Sequence, residues 1–336
     1  MNPPFHKALL LADLHFGRAN SPQANEDNLD FLRWAIDEAR TWGADQCIML
    51  GDWHDNRHSL QVSTILASLD GMDLLNDNFK KVWWLPGNHD LQKRNCRDAA
   101  SIEFARWLPN IEIIRDPLIV DDCVFLPWLL PDEHKTLNLN GSRYVFAHLE
   151  VAGFLRNAKS IAPEGPHSVT TKLFDQQDIV FTGHFHQRQI QKNVCYVGSV
   201  FPFDFRDDGD DQRGLTLLEW GHDPIFRAWP SQPLYRSMKL THLLDATQTL
   251  KQNMTLRVMV DMPLEYEEAA QIRDHLVSTY SLRKIELNHS REEIDPAEQT
   301  DITFQTIDQI VEESLFDIES VGLSNQRLLD IYHSLI

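Results

Sequence analysis

The chain has 336 residues, a formal net charge of −19 and only four cysteines. No stretch approaches the roughly 18 uninterrupted apolar residues that would raise a membrane span, and Met1-Asn2-Pro3-Pro4 leads straight into an apolar run without a leader pattern, so a soluble chain is expected. Cys47, Cys96, Cys123 and Cys195 show no Cys-x-x-Cys spacing, which points to reduced thiols and a cytoplasmic setting. The negative balance argues against a chain that grips nucleic acid unaided, because such affinity comes mainly from Lys and Arg neutralising phosphates.

In chain order, Ala8 to Ala12 is a short apolar run that stops at Asp13-Leu14-His15. Leu29, Leu32, Trp34, Ile36 and Ala39 then recur at helical spacing and predict a helix over Asn28 to Trp42. Gln46 to Leu50 is the next apolar run and stops at Gly51-Asp52-Trp53-His54-Asp55. Val82 to Pro86 stops at Gly87-Asn88-His89-Asp90, Tyr144 to Ala147 at His148, and Asp178 to Thr182 at Gly183-His184-Phe185-His186. Runs of this length without alternation read as strands buried on both faces. Strand and helix alternate, so an α/β sheet is expected, with polar residues gathered at the carboxyl ends of its strands. Gly51, Gly87 and Gly183 are expected to let the chain turn off each strand.

One such segment alone would be a turn or a surface loop. Five in order, each after an apolar run, spell a metal site. Carboxylates, an amide oxygen and several imidazoles suit two borderline first-row cations such as Mn, Fe or Zn. Two ions a few ångströms apart serve in-line displacement at phosphorus. His54 and His58 match no ligand position and are expected in a loop or groove, while Trp53, Trp83, Trp84 and Trp128 are expected as core or pocket wall.

After Trp220 the pattern changes. Pro224, Pro230 and Pro233 punctuate a connector to about residue 236. Leu256 to Val260 reads as a strand, Glu265 to Tyr280 as a helix and Lys284 to Leu287 as a strand. Glu292 to Asp301, with Pro296, suits an exposed acidic linker. Ile307, Ile310, Val311, Leu315 and Ile318, then Leu328, Leu329, Tyr332 and Leu335 after a Ser324 cap, give two amphipathic helices that must pack on the body or on a partner. Residues 1–230 carry 22 basic and 32 acidic residues, and residues 231–336 carry 9 and 18; from Glu292 onward 11 acids face the single base Arg327. Basic residues beside the metal motifs are Arg57 and the run Lys93-Arg94-Asn95-Cys96-Arg97, read either as solvated loop or as phosphate contacts.

The order of these motifs resembles the calcineurin-like metallophosphoesterase superfamily and, within it, the SbcD-type double-strand-break repair nucleases that include phage recombination endonuclease subunits. Gly51 to Arg57, Gly87 to Leu91, Pro127-Trp128, His148-Leu149-Glu150, Tyr196-Val197-Gly198-Ser199 and Asp211-Gln212-Arg213-Gly214 carry the likeness, which covers about the first 220 residues. It implies a two-sheet α/β sandwich flanked by helices over residues 1–230, a small α+β capping domain over 237–291, a linker over 292–301 and a helical partner-binding segment over 302–336. It implies that Asp13, His15, Asp52 and His186 hold one metal, that Asp52, Asn88, His148 and His184 hold the other, and that manganese is the expected ion. His89 would assist the leaving oxygen, and Asp90 would orient His89 or a ligand. The position of Asp55 is His in some cellular relatives, so a role in choosing DNA ends is not carried over. Arg57, Lys93 and Arg94 would contact DNA, an SbcC-like coiled-coil ATPase would be the partner, and a homodimer is expected. A metal-dependent DNA exonuclease or endonuclease of a repair and recombination complex is the function implied. A free-standing phosphoesterase on small phosphoesters or cyclic nucleotides, and a DNA-end scaffold with secondary catalysis, stay open beside it.

Overall fold

A computed structural model describes residues 4–139, 141–157, 160–289, 324 and 326–329. Two six-stranded sheets form the body. In the first, Lys7–Leu11, Gln46–Met49, Lys81–Trp84 and Ile111–Ile113 are parallel neighbours, and Gly214–Glu219 and Ile225–Ala228 extend the sheet antiparallel beyond Lys7–Leu11. In the second, Cys123–Leu126, Tyr144–His148, Ile179–Gly183 and Val194–Tyr196 run parallel between antiparallel edges Leu118–Val120 and Gln189–Gln191.

The apolar runs lack alternation because both faces of these strands are covered. Leu9, Leu11, Cys47 and Met49 point to a core shared with the helices. Ala8, Leu10, Ile48 and Leu50 point the other way, into a core with Phe125, Phe146 and Phe181 of the second sheet. A third core, with Val124, Val145, Val180 and Tyr196, covers the far side of the second sheet. The sheets thus pack face to face as a sandwich, each strand contributing alternate residues to either side.

Helix α1 spans Pro22–Trp42 and α2 spans Val62–Asn78. The first begins six residues before the expected Asn28. Ser21 caps it, its side chain accepting from Ala24 N at 3.3 Å, and Pro22 occupies the first turn, where its missing N–H costs nothing. Asn25, Asp27 and Asn28 are buried in that early stretch, so the inward face starts polar and gives no hydrophobic signal.

The expected connector also needs correction: Leu234–Lys239 is a strand, paired parallel with Met254–Val260 in a three-stranded sheet completed by Lys284–His289. Helices α3 (Leu240–Asp245) and α4 (Tyr266–Tyr280) accompany this small sheet, and Glu265 with Glu268 closes a capping box on α4. Leu240, Leu243, Leu256, Val258 and Leu276 form its own core. Arg283 reaches Asp27 of α1 through two bonds of 2.6 Å. The expected linker 292–301 and nearly all of 302–336 lie outside the described residues. Among the described residues, no helix is long and apolar enough to cross a membrane.

Candidate metal centre

The motif loops are stitched together beyond the ends of the strands. Asp13 N donates to Gly51 O at 3.0 Å, His15 N to Asp52 O at 3.1 Å and Phe16 N to Trp53 O at 2.7 Å, so the pairing of the first two strands continues into the loops and sets Asp13 and His15 beside Asp52. Asp13, His15, Asp52 and His184 have φ of 55°, 54°, 53° and 97°. Side chains rarely take that left-handed backbone, and such strain persists only where the surroundings over-determine it. The Asp90 carboxylate does much of that work, accepting from Gly87 N at 2.8 Å, Asp52 N at 2.9 Å, Trp53 N at 3.0 Å and His54 N at 3.2 Å. Of the glycines expected to turn the chain, only Gly51 has positive φ. Gly87 and Gly183 serve close approach instead: a Cβ on Gly87 would lie 2.2 Å from Asp52 Oδ1, and one on Gly183 would lie 2.5 Å from Leu50 O.

Three groups of donors result among the described residues. Asp13, His15 and His186 offer ligand atoms all within 4.8 Å of one another, as do Asp52, His148 and His184, and a third trio, His15, Asp55 and His89, overlaps the first at His15. Asp52 Oδ2 lies 3.4 Å from His148 Nε2 and 3.9 Å from His15 Nε2, between the first two groups. Asn88 Oδ1 is 3.2 Å from His148 Nε2. His15 Nε2 and His186 Nε2 face each other at 3.1 Å. The structure therefore gathers all seven expected ligand positions in one place. The donor set fits divalent cations, because imidazole nitrogens, carboxylates and an amide oxygen are the ligands such ions take.

The electrostatics agree. Burial holds His15, His184 and His186 below the usual histidine range, His184 at about 4, so each is a neutral lone-pair donor at neutral pH. Burial also works against a charged His148, but Asp52 outweighs it and raises the group to about 9. Burial, with Asp52 adding repulsion, raises Asp13 to about 8. Asp52 itself stays ionised despite burial, because His148, His89 and His15 surround it. A metal takes the carboxylate and the neutral imidazole, so cation binding at Asp13 and His148 would compete with their protonation.

His89 stands at the rim, half-buried, its ring 4.9 Å from that of His15. Its Nδ1 bonds to Asp55 O at 2.6 Å, which leaves Nε2 free. Asp90 does not touch the His89 ring; of its two expected roles, the backbone bonds leave the holding of Asp52. His54 lies in the loop after the second strand, as expected, but is fully buried there, between Ser101 Oγ at 2.8 Å and Ser68 Oγ at 2.9 Å. His58 is exposed. Trp128 is pocket wall, its ring 5.1 Å from His184 and 6.1 Å from His148. Arg94 lies over the outer face of that indole at 5.7 Å. Lys93 and Arg94 are exposed on the hairpin Leu91–Lys93/Cys96–Ala100, and Arg57 is half-buried near Arg94. Arg97 of the same run is structural, held by Trp128 O and Glu133. A cleft of about 430 Å³ opens beside His184 and His186, lined by Arg18, Arg156, Gln187, Asp204 and Arg206.

Three neighbours of the ligands were not singled out by the motifs as supports. Asp55 Oδ1 is 3.3 Å from His15 Nδ1, Glu150 Oε2 is 3.6 Å from His184 Nε2, and Arg18 joins Asp55 to Asp204. Asp55 and Glu150 fall inside quoted motifs, three residues after Asp52 and two after His148, and that adjacency is the only sequence signal they carry.

This sandwich, with its motif loops gathered around a buried aspartate, matches the calcineurin-like phosphoesterase family model over residues 6–225. The chain belongs to that family and is a phosphoester hydrolase by membership. More particularly, it is 26% identical over 227 residues to exonuclease subunit 1 of Enterobacteria phage T4, an alignment covering 63% of this chain and 64% of the relative's length. Among solved structures it is similar to a dimetal phosphatase from Danio rerio (13% identity, TM-score 0.41, 67% of this chain and 97% of that one). It is also similar to the nuclease MPE of Pseudomonas putida (20% identity, TM-score 0.29, 53% and 61%). Neither superposes closely enough to inform the role of individual residues.

Proposed function

We propose that this chain is the nuclease subunit of a DNA repair and recombination complex, hydrolysing phosphodiester bonds with two divalent cations, manganese foremost. The observation that carries the reading is Asp52 Oδ2 placed between His148 Nε2 and His15 Nε2, a bridging position for two ions. Asp13, His15, Asp52 and His186 would hold one cation, and Asp52, Asn88, His148 and His184 the other. When bound, the pair supplies Lewis-acid polarisation of the phosphodiester and an activated water for in-line attack.

The chain's own residues do the rest. His89, its Nδ1–H held by Asp55 O, would as the imidazolium give its Nε2 proton to the departing oxygen and be left as the neutral Nδ1–H ring. Asp90 keeps the Asp52 backbone in its strained form. Arg57, Lys93 and Arg94, none of which has an ion-pair partner among the described residues, are offered to phosphates along one rim and position the strand without reading its sequence. This limited basic surface, against a net charge of −19, supports a subunit that shares the grip on DNA with a partner, taken to be an SbcC-like ATPase docked on residues 302–336. An exposed apolar stripe on α2, of Val62, Leu66 and Leu69, supports self-association as a homodimer.

The test is digestion of linear duplex, hairpin and circular single-stranded DNA in manganese, with and without the ATPase, by the full chain and by a chain ending at residue 301. Cleavage of DNA by both chains, with ATP stimulation of the full chain alone, is expected. Hydrolysis of cyclic nucleotides or small diesters with all DNA left intact would replace this reading with the free-standing phosphoesterase.

A further inference from the structure

Asp55 is in neither expected ligand set, although its carboxylate shares a donor trio with His15 and His89, and it touches the machinery twice. Its carboxylate Oδ1 lies 3.3 Å from His15 Nδ1, on the side of the ring opposite the donor group. Its backbone carbonyl accepts from His89 Nδ1 at 2.6 Å. Asp55 is in turn held: Arg18 Nη1 is 3.2 Å from Asp55 Oδ1, and Arg18 Nη2 is 2.8 Å from Asp204 Oδ2. The Arg18 guanidinium lies over the Phe203 ring at 4.6 Å, and Phe203 packs edge-on against both His15 and His186 at 5.4 and 5.2 Å. In the other half His148 Nδ1 is fixed by Leu50 O at 2.7 Å, while Glu150, paired with Arg156 at 3.2 Å, lies 3.6 Å from His184 Nε2 and belongs to that half.

We infer that Asp55, clamped by Arg18 and Asp204, is a positioning residue that sets the affinity of the Asp13/His15/His186 site for its cation while leaving the Asp52/Asn88/His148/His184 site alone. The inference rests on the two-metal reading above. His15 Nδ1 is buried and makes no aligned hydrogen bond, and the Asp55 carboxylate 3.3 Å away is the acceptor placed to favour the Nδ1–H tautomer, which leaves Nε2 free for a cation and makes it more basic. Arg18 prevents Asp55 from swinging away, and Asp204 shares the guanidinium so that Asp55 keeps its negative character. His89 is held through the backbone carbonyl of the same residue, with the Asp55 carboxylate also within 4.8 Å of its ring. Loss of that side chain should therefore weaken one metal while His89 keeps its main-chain bond to Asp55 O.

The experiment is calorimetric titration of the metal-free full chain with Mn²⁺, alongside turnover of a short duplex DNA across Mn²⁺ concentrations, for wild type, Asp55→Ala, Asp55→Asn and Arg18→Gln. Partners of metal-bound histidines typically contribute about 10- to 100-fold in affinity. Asp55→Ala should weaken one of two binding steps by that amount and leave the other unchanged. Arg18→Gln should do so to a smaller extent, and Asp55→Asn, which keeps an acceptor oxygen, should recover much of the loss. At saturating Mn²⁺ the turnover of Asp55→Ala should return to within a few-fold of wild type. Equal weakening of both steps, no change in either, or turnover that stays low at saturating metal would each overturn the inference. A wild type that binds fewer than two ions would instead overturn the two-metal reading on which it rests.

Discussion

The two halves of the site are built differently. The half with Asp52, Asn88, His148 and His184 is tied largely to main-chain atoms: Leu50 O orients His148, the Asp90 carboxylate collects four main-chain amides around Asp52, and Gly87 lets the third loop come within van der Waals reach, with Glu150 beside His184 as its side-chain support. The half with Asp13, His15 and His186 leans on side chains, with Asp55, Arg18, Asp204 and Phe203 behind its imidazoles. Backbone support changes only with the fold, whereas side-chain support can be tuned one residue at a time. One half should therefore fail all at once and the other by degrees.

Gly87→Ala should give the largest effect. Its Cβ would meet Asp52 Oδ1 at 2.2 Å and Asp52 N at 2.5 Å, and neither can retreat without breaking the Asp90 network. Metal content and DNA cleavage should both fall to background, while the far-ultraviolet circular dichroism of the protein stays that of a folded chain. A variant that still carries metal would show that this half is less rigid than its bonds suggest.

His89→Ala separates chemistry from coordination in both halves. Metal content and DNA affinity should be retained while turnover falls by about 10²- to 10⁴-fold, the usual contribution of a general acid. Loss of a metal instead would move His89 into the coordination sphere.

Smaller effects belong to the rim. Arg57→Ala and Arg94→Ala should each raise KM for DNA a few-fold and flatten the dependence of log affinity on log salt by about one unit. The hydrolysis of a simple aryl phosphodiester should not change, since it reaches neither residue. An equal loss on both substrates would assign these arginines to the centre.

His54 tests the packing beneath the backbone-held half. Burial depresses it to about 3, so the unfolded chain, with a histidine near 6.5, binds a proton that the folded chain refuses. Its contribution to stability is complete above pH 6.5 and is lost as pH falls toward 3. In urea titrations of metal-free protein, wild type should lose more stability than His54→Gln over that window, and identical curves would place His54 in a wetter setting.

Much of the site was legible because burial on both faces forces each strand to be an unbroken apolar run, so the ligands stand out where the runs stop. The parts that were not legible are polar residues acting at long range. The first turns of α1 were missed because Asn25 and Asp27 are spent inward, Asn25 Oδ1 accepting from Gly17 N at 2.8 Å and Asp27 meeting Arg283. Leu234–Lys239 was hidden by Pro230 and Pro233, which read as a connector although the strand begins just after them. Arg18 and Asp204 are 186 positions apart, and nothing in either segment announces the other. The roles of Asp90 and His54 likewise depend on which amides and hydroxyls the fold brings to them, which no local pattern encodes.

The central claim is that one buried aspartate joins the two halves, and metal stoichiometry of Asp52→Ala tests it most directly. Elemental analysis of the desalted full chain should give two manganese ions per wild-type chain and essentially none for the variant, with hydrolysis of DNA and of simple phosphodiesters abolished together. A variant that keeps two ions per chain and cleaves at the wild-type rate would contradict the account.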